Sequence, residues 1–227
     1  MNVELIAHTG VNMAVVGLYM DWSVDNEAAD ELAEFAGRSC YQSFHKPNPK
    51  TQENADYLAN ILAQGHESVL EHASATFYVT GVSRALTHEL IRHRHLSFSE
   101  LSQRFVNVEE TDMVYPPAVD YEEGMAIADV RDLARQAYSV IVENLTGRGV
   151  KRKQAREAAR AVMPNATETR IVVTGNLRAW LDVLRKRWHV AADAELQQFA
   201  GEVLAHLREI APNTVQNIPS TPYGSDG

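Results

Sequence analysis

The chain has 227 residues, of which 45% are hydrophobic and 22% are charged, and it carries a formal net charge of −9. This composition excludes wholesale disorder, and no apolar run approaches the roughly 18 residues of a membrane-spanning helix. The single cysteine, Cys40, excludes an internal disulfide and a cysteine-rich metal cluster. Because no signal peptide is visible at the start, we expect a cytoplasmic globular protein without a membrane partner.

Hydrophobic periodicity, capping residues and the positions of glycine and proline predict an α+β protein, with strands scattered between long helices. Helices are expected at 26–37, 51–64, Ser83 to about His93, 122–146, 150–162, 176–190 and 193–210. Strands are expected at 73–80, 104–108 and 168–174. Residues 1–213 are predicted to form one domain and residues 214–227 a mobile tail.

The positive charges are concentrated in the segments 84–104, 148–160 and 170–187, which hold 15 of the 21 Lys and Arg residues. These 52 residues sum to +11, and the rest of the chain sums to −20. The net negative charge argues against a general nucleic-acid binder. Cations gathered within an acidic chain favour a site for an anionic small molecule, although solvated helix faces would give the same distribution.

The densest cationic motif is RHRHLSFSELSQR at 92–104, where arginine and histidine alternate before a polar stretch. Arginine forks, serine hydroxyls and backbone amides together suit a phosphate group. The zinc-protease pattern fails because position 92 is arginine where its second histidine is required, so no metal is expected. Ser97, Ser99 and Ser102 lack the flanking glycines or the base–acid pair of a serine nucleophile.

The 12 glycines never fall in the order of a dinucleotide-binding or phosphate-binding loop, so any nucleotide must be held in another way. In the helix predicted after Gly175, apolar residues follow a core spacing and Asn176 and Arg187 fall on an adjacent flank. The spacing therefore predicts that Asn176 and Arg187 face one cleft.

The 92–104 motif closely resembles the signature of flavin-dependent thymidylate synthases, RHRxxSxxxxSxR, and further similar segments are FAGRSCYQS (35–43), GHESVLEH (65–72) and ARAVMPNATETRIVVTGNLRAW (159–180). The six matched signature positions are Arg92, His93, Arg94, Ser97, Ser102 and Arg104. The resemblance implies long helices around a small mixed or antiparallel sheet, in a homotetramer with active sites at subunit interfaces. It also implies synthesis of dTMP from dUMP, with methylenetetrahydrofolate as carbon donor and NADPH reducing bound FAD.

The resemblance assigns roles position by position. The FAD contacts that it implies are Ser68, Glu71, Arg92, His93, Arg94, Glu100, Asn176, Leu177, Arg178 and Asp182. The dUMP contacts that it implies are Glu89, Leu90, Ile91, Arg92, Glu100, Leu101, Ser102, Gln103, Arg104, Arg160 and Arg187. Arg187 is expected to be catalytic by polarising the uracil ring, while Arg185 and Lys186 point elsewhere around the helix. No cysteine or serine nucleophile is implied.

Two positions differ from the residues usual in that family: Asp182 replaces His or Asn, and Ala191 replaces His, with His189 two positions earlier. We therefore expect substoichiometric FAD after purification.

Two other classes of function stay open: a non-catalytic flavin or nucleotide sensor, and RNA binding by the basic helix at 148–160, which lacks aromatic residues for stacking. The structural alternative for Arg187 is a surface ion pair with Asp193 or Glu195.

Overall fold

A computed structural model describes residues 1–23 and 26–225 of the chain. Its strands are β1 (Asn2–His8), β2 (Ser74–Ser83), β3 (Ser97–Glu100) and β4 (Glu168–Asn176). Its α-helices are α1 (Met13–Val16), α2 (Ala28–Tyr41), α3 (Asn54–Ala63), α4 (Arg84–Leu90), α5 (Tyr121–Gly147), α6 (Arg152–Ala159), α7 (Leu177–Arg187) and α8 (Ala194–Ile210). The predicted α+β class is confirmed.

The four strands form one antiparallel sheet in the order β1-β2-β4-β3. Alternate side chains along the two central strands are buried, as expected where one face of a sheet packs on a core. On β2 the buried residues include Ala75, Phe77 and Val79, and on β4 they include Ile171 and Val173. The sheet thus brings the end of β4, from which α7 begins, beside the start of β2.

Contacts group the described residues into two compact units. The first comprises 1–2, 79–92 and 98–172, and the second comprises 3–78, 93–97 and 173–225 among the described residues. In the first unit, α5 and α6 enclose a small core around Val108, Tyr138 and Ala159. The prediction of one domain over 1–213 stays a prediction.

The core of the second unit is built where α7 and α8 meet the sheet. Trp180 is fully buried, its indole N–H donates to the Ala75 carbonyl at 3.2 Å, and its ring meets Phe77 edge-on at 5.0 Å. Phe199 and Leu207 of α8 are also fully buried. This packing fixes α7, and with it the side chains that α7 presents on its other face.

Local signals located most helices, and Ser83 caps α4 as predicted, since its hydroxyl accepts from the Leu86 N–H at 3.0 Å. The strand predicted at 104–108 is wrong, because the N–H groups of Phe105 and Val106 both donate to the Ser102 carbonyl and close a turn. The strand lies earlier instead, at β3, whose polar sequence gives no strand signal of its own. The edge strand β1 was not predicted.

Part of the predicted tail is packed. Thr214, Val215 and Ile218 are buried, and the Tyr223 N–H donates to the Trp188 carbonyl at 2.9 Å. The last two residues of the predicted tail, 226–227, lie outside the described residues, and the mobility of the tail stays a prediction. Within the described residues, no helix combines the length and apolar character needed to cross a bilayer.

Candidate functional site

The first part of the arginine–histidine motif, residues 92–96, forms a turn after α4 that has both buried and exposed side chains. His93 and Leu96 are buried, whereas Arg94 and His95 are exposed. Leu96 occupies the space beside Gly175, where a Cβ atom would clash with its side chain. The glycine at the end of β4 therefore allows the motif to pack closely against the strand that leads into α7.

A cavity of about 530 Å³ lies along one face of α7. This volume is in the usual range of small-molecule sites, roughly 300–1,000 Å³. Its lining residues are Glu67, Glu71, His95, Asn176, Arg178, Ala179, Asp182 and Arg185. Four of the predicted FAD contacts are therefore brought together.

Two ion pairs cross this cavity from α7 to the 3-10 turn Glu67–Glu71. Arg178 Nη1 lies 2.5 Å from Glu71 Oε1, and Arg185 Nη2 lies 2.6 Å from Glu67 Oε1. Arg178 and Glu71 are each about half exposed, at 50% and 47%. Because water screens such pairs, they contribute little to folding, and the charges stay accessible to a ligand.

A second cavity of about 320 Å³ adjoins the first, since Glu67 and Arg178 line both. Ser68, a predicted FAD contact, lines this second cavity together with Cys40 and His66. An elongated ligand could therefore extend past Arg178 from one cavity into the other.

At its C-terminal end, α7 contacts the motif through His93. The Arg187 Nε–H donates to His93 Nε2 at 3.1 Å, and His93 Nδ1 lies 3.4 Å from Asp182 Oδ2. Lys186 Nζ contacts both oxygens of Asp182, at 2.6 and 2.8 Å. The Asp182 carboxylate is thus held on its own helix while it faces the imidazole ring.

The pKa values of His93 and Asp182 are both lowered, for different reasons. Burial and the charge of Arg187 lower the pKa of His93 below its usual 6.5, against the opposing effect of Asp182. Burial acts to raise the pKa of Asp182, but the hydrogen bond and charge of Lys186, with those of His93, leave it below the usual 3.8. At neutral pH, His93 is therefore neutral and Asp182 is ionised.

Glu100, a predicted contact for both ligands, sits in a hydrogen-bond network of the first unit. Its Oε1 accepts from Arg84 Nη1 at 3.1 Å, from Thr87 Oγ1 at 3.0 Å and from Thr169 Oγ1 at 3.2 Å. These contacts tie the end of β3 to α4 and β4. Glu100 thus has a structural role that the sequence reasoning missed.

The family model for the thymidylate synthase complementing protein matches residues 24–213, most of the chain. The chain belongs to this family. Two relatives carry the name "Probable flavin-dependent thymidylate synthase". The one in Mycobacterium phage D29 is 52% identical over the full length of both chains. The one in Mycobacterium phage L5 is 56% identical over 86% of this chain and 83% of the relative. The "Flavin-dependent thymidylate synthase" of Mycobacteroides abscessus is 49% identical over 94% of this chain and 88% of the relative. The resemblance found from the signature is confirmed.

For this family member, the other predicted site residues fall into three groups by burial. The exposed side chains are those of Ser68, Glu89, Ile91, Arg92, Arg94 and Arg160. The partly buried ones are those of Leu101, Ser102 and Arg104. The buried ones are those of Leu90, Gln103 and Leu177, so the leucines can offer a ligand only their backbone groups. Their assignment to ligands stays a prediction.

Two predicted residues have further partners. Arg104 Nε lies 2.9 Å from Glu157 Oε2, and both side chains are partly exposed. Asn176 caps α7, since its side-chain oxygen accepts from the Ala179 N–H at 2.8 Å. Asn176 lines the larger cavity, whereas Arg187 is not among the residues that line it, so the cleft predicted for these two residues together stays a prediction.

Sequence reasoning did not assign a role to four residues of the larger cavity, namely Glu67, His95, Ala179 and Arg185. Helical spacing offered a signal for Arg185, because it lies three residues after Asp182 and so on the same face of α7. The partner of Arg185 is 118 positions away in sequence, which no local pattern indicates. Among the described residues, no group of three or more His, Cys, Asp or Glu side chains could hold a metal ion.

Proposed function

We propose that this chain is a flavin-dependent thymidylate synthase, which converts dUMP to dTMP with methylenetetrahydrofolate as carbon donor and NADPH as reductant. The observation that carries the proposal is the pair of adjoining cavities along α7, lined by Arg178 and Arg185 beside the arginine–histidine signature. The names of the relatives in Mycobacterium phage D29 and Mycobacteroides abscessus support the same activity.

The residues of the cavities fit FAD. FAD carries an anionic pyrophosphate and polar ring edges, and guanidinium groups with accessible positive charge suit the pyrophosphate. The side chains proposed to hold it in the second unit are Ser68, Glu71, His93, Asn176 and Arg178, with Asp182 at the cavity wall. When bound and reduced, FAD supplies the hydride for the uracil ring.

The protein's own contribution to the reaction is to orient and polarise dUMP. The signature serine and arginine, Ser102 and Arg104, are proposed to bind dUMP together with Arg160, because hydroxyls and guanidinium groups suit a phosphate. Arg187 is proposed to face the uracil carbonyl and imide. A positive charge within about 4–6 Å lowers an acid's pKa by roughly 1–3 units, which favours the anionic ring.

No protein nucleophile takes part in this proposal. Cys40 lines the smaller cavity, and within the described part of the chain Ser102 makes its hydrogen bonds through its backbone carbonyl, with no adjacent base. The assembly proposed is a homotetramer with the active sites at subunit interfaces, and the proposed location is the cytoplasm. The partners proposed are the small molecules dUMP, folate and NADPH.

The test combines a visible spectrum with turnover. Purified protein should show oxidised-flavin absorbance at less than one FAD per chain, because Asp182 and Ala191 depart from the usual family residues, and it should gain absorbance when FAD is added. It should then form dTMP from dUMP, methylenetetrahydrofolate and NADPH. Calorimetry that detected no FAD binding at high micromolar concentration would refute the enzyme proposal, and FAD and dUMP binding without turnover would indicate a sensor.

The RNA-binding alternative has one observation in its favour. Phe105 is 62% exposed, and the Lys153 ammonium of the basic helix α6 lies 4.7 Å from its ring centroid. Arg156 also donates to the Phe105 carbonyl at 2.5 Å. One aromatic ring is a small stacking platform, so salt-dependent binding of a single-stranded oligonucleotide, lost in Phe105→Ala, is the result that would support this alternative.

A further inference from the structure

We propose that Asp182 is a positioning residue, which holds His93 in one tautomer and orientation so that His93 accepts the Arg187 Nε–H and directs its guanidinium. The inference rests on the proposed function, because the reaction is what gives Arg187 its role. It assigns to Asp182 an effect on dUMP through two other side chains, in addition to its place at the wall of the larger cavity.

The hydrogen-bond donors and acceptors of Asp182, His93 and Arg187 are compatible with only one placement of the protons. An arginine Nε always donates, so His93 Nε2, 3.1 Å away, must accept and carry no proton. A neutral imidazole then bears its proton on Nδ1. His93 Nδ1 faces Asp182 Oδ2 at 3.4 Å, and an ionised carboxylate is an acceptor only. Asp182 therefore selects the tautomer that Arg187 requires.

Burial makes this selection effective. The His93 side chain is 6% exposed, so water offers its ring few alternative partners. The Asp182 carboxylate is fixed from its other side by Lys186, four residues along α7. The ring is consequently held between two residues of the same helix, five positions apart, while His93 itself belongs to the signature turn.

Among the described residues, the charged groups that act most strongly on His93 are Asp182, Lys186 and Arg187, all on α7. Asp182 acts to raise the pKa of His93, and Arg187 and Lys186 act to lower it. Protonation of His93 would turn Nε2 into a donor and place a positive charge against Arg187. The contact with Arg187 is therefore present above the pKa of His93 and is lost as the pH falls through it.

The first experiment measures the His93 ring directly by nuclear magnetic resonance, without any ligand. In the wild-type chain, the ring nitrogens should report a proton on Nδ1 at pH 7.5, and the pKa from the Cε1–H signal should lie below 6.5. Asp182→Ala should lower that pKa further and mix the tautomers. The matched control, Lys186→Ala, should move the pKa in the opposite direction and keep the tautomer. A ring protonated on Nε2 in the wild-type chain would overturn the proposal.

The second experiment is a double-mutant cycle on dUMP affinity, measured by calorimetry at saturating FAD for each variant. Asp182→Ala should weaken dUMP binding about tenfold in the wild-type background, the loss expected for one misdirected hydrogen bond to a charged group. In an Arg187→Ala background the same change should alter affinity by less than about twofold. Asp182→Asn, which keeps an acceptor oxygen, should recover most of the lost affinity.

The two possible failures are distinguishable. If the wild-type chain neither bound dUMP nor formed dTMP, the proposed function would fail, while the ligand-free measurement of His93 would still report on the ring. If the wild-type chain formed dTMP, and Asp182→Ala cost the same affinity with and without Arg187, the positioning role alone would be contradicted.

Discussion

Carboxylates serve two different purposes within the second unit of this protein. Those of α2 are buried among fixed partners: Glu34 accepts from Arg38 Nε at 2.6 Å and from Asn54 Nδ2 at 2.9 Å. Those of the candidate site, Glu71 above all, pair with arginines that are about half exposed. The buried network supports the fold, and the accessible pairs keep opposite charges close to a cavity where a ligand can exchange for them.

The difference follows from desolvation. A buried charge costs several kcal/mol unless its partners are well placed, so removing one partner is severe. An exposed ion pair contributes about 0–1 kcal/mol and is screened by salt. Stability should therefore be sensitive to α2, and ligand binding should be sensitive to α7 and the signature.

The largest expected effect on stability comes from Arg38. This side chain is 2% exposed, pairs with Glu34, donates to the Thr51 carbonyl at 2.5 Å and lies over the Tyr57 ring. Arg38→Met keeps much of the volume but leaves Glu34 short of its main partner, so unfolding free energy from urea titration should fall by about 3–5 kcal/mol. In the matched control, Arg178→Met, the unfolding free energy should fall by less than about 1 kcal/mol. Equal losses of unfolding free energy in the two variants would show that the buried network of α2 and the exposed pair at the cavity contribute alike to stability.

A second test uses the pH dependence of Asp30. Burial raises the pKa of this carboxyl from 3.8 to about 6, although Thr214 and the Asn213 N–H donate to it. Because the unfolded chain releases this proton at lower pH, the contribution of Asp30 to stability is fully present below about pH 4 and is lost as the pH rises through about 6.

For this group the shift corresponds to about 3 kcal/mol. The unfolding free energy of the wild-type chain, measured against that of Asp30→Asn, should therefore decline by about that amount between pH 4 and pH 7. Other buried carboxyls such as Glu31 are common to both chains and cancel in the difference. A difference that stayed constant with pH, or rose, would show that Asp30 is not desolvated in this way.

A change at Ser102 tests the region that is proposed to bind dUMP. The turn at Ser102 is closed by its backbone carbonyl, so Ser102→Ala should leave the fold unchanged. Loss of one hydrogen bond to the dUMP phosphate should cost roughly 1.5–3 kcal/mol, or about a 10- to 150-fold weaker dissociation constant. Calorimetry with dUMP measures this. A covalent adduct between dUMP and Ser102 would instead make the serine a nucleophile.

The smallest expected effect is at the Glu67–Arg185 pair. Arg185→Ala should change the unfolding free energy by no more than about 1 kcal/mol, because Arg185 is 45% exposed. Any difference from the wild-type chain should vanish in about 1 M salt, where the screening length is near 3 Å. Urea titrations of both chains at low and high salt measure this difference. A loss of unfolding free energy that persisted at high salt would mean that this pair supports the fold as Arg38 does.

Sequence patterns predicted the parts of the fold whose signals are local. The apolar spacing of Leu177, Leu181 and Leu184 indicated the buried face of α7, and all three are in the core. The strand β3 escaped prediction because its polar residues are held by pairing with β4 rather than by their own preference. Acidic residues on α2 gave no sign of burial, since their partners Asn54 and Thr214 come from distant segments.

The candidate site was likewise predictable from the sequence only in part. The signature identified the family and the residue types, because its spacing is specific. It did not indicate that His93 contacts both ends of an Asp182–Arg187 segment, a contact that joins positions 94 residues apart. The resemblance implied that Asp182 contacts FAD and marked it as a departure from the usual residue, but it did not indicate the contact of Asp182 with His93.

The catalytic role of Arg187 is tested by dTMP formation in Arg187→Ala at saturating dUMP and FAD, with Lys186→Ala as the control. Lys186 neighbours Arg187 on α7, but its side chain pairs with Asp182 and is 60% exposed. We expect Arg187→Ala to form no detectable dTMP and to bind dUMP more weakly, while NADPH still reduces its bound flavin. Lys186→Ala should stay within about threefold of the wild-type rate. If Arg187→Ala formed dTMP at a near wild-type rate, the catalytic role assigned to Arg187 would be wrong.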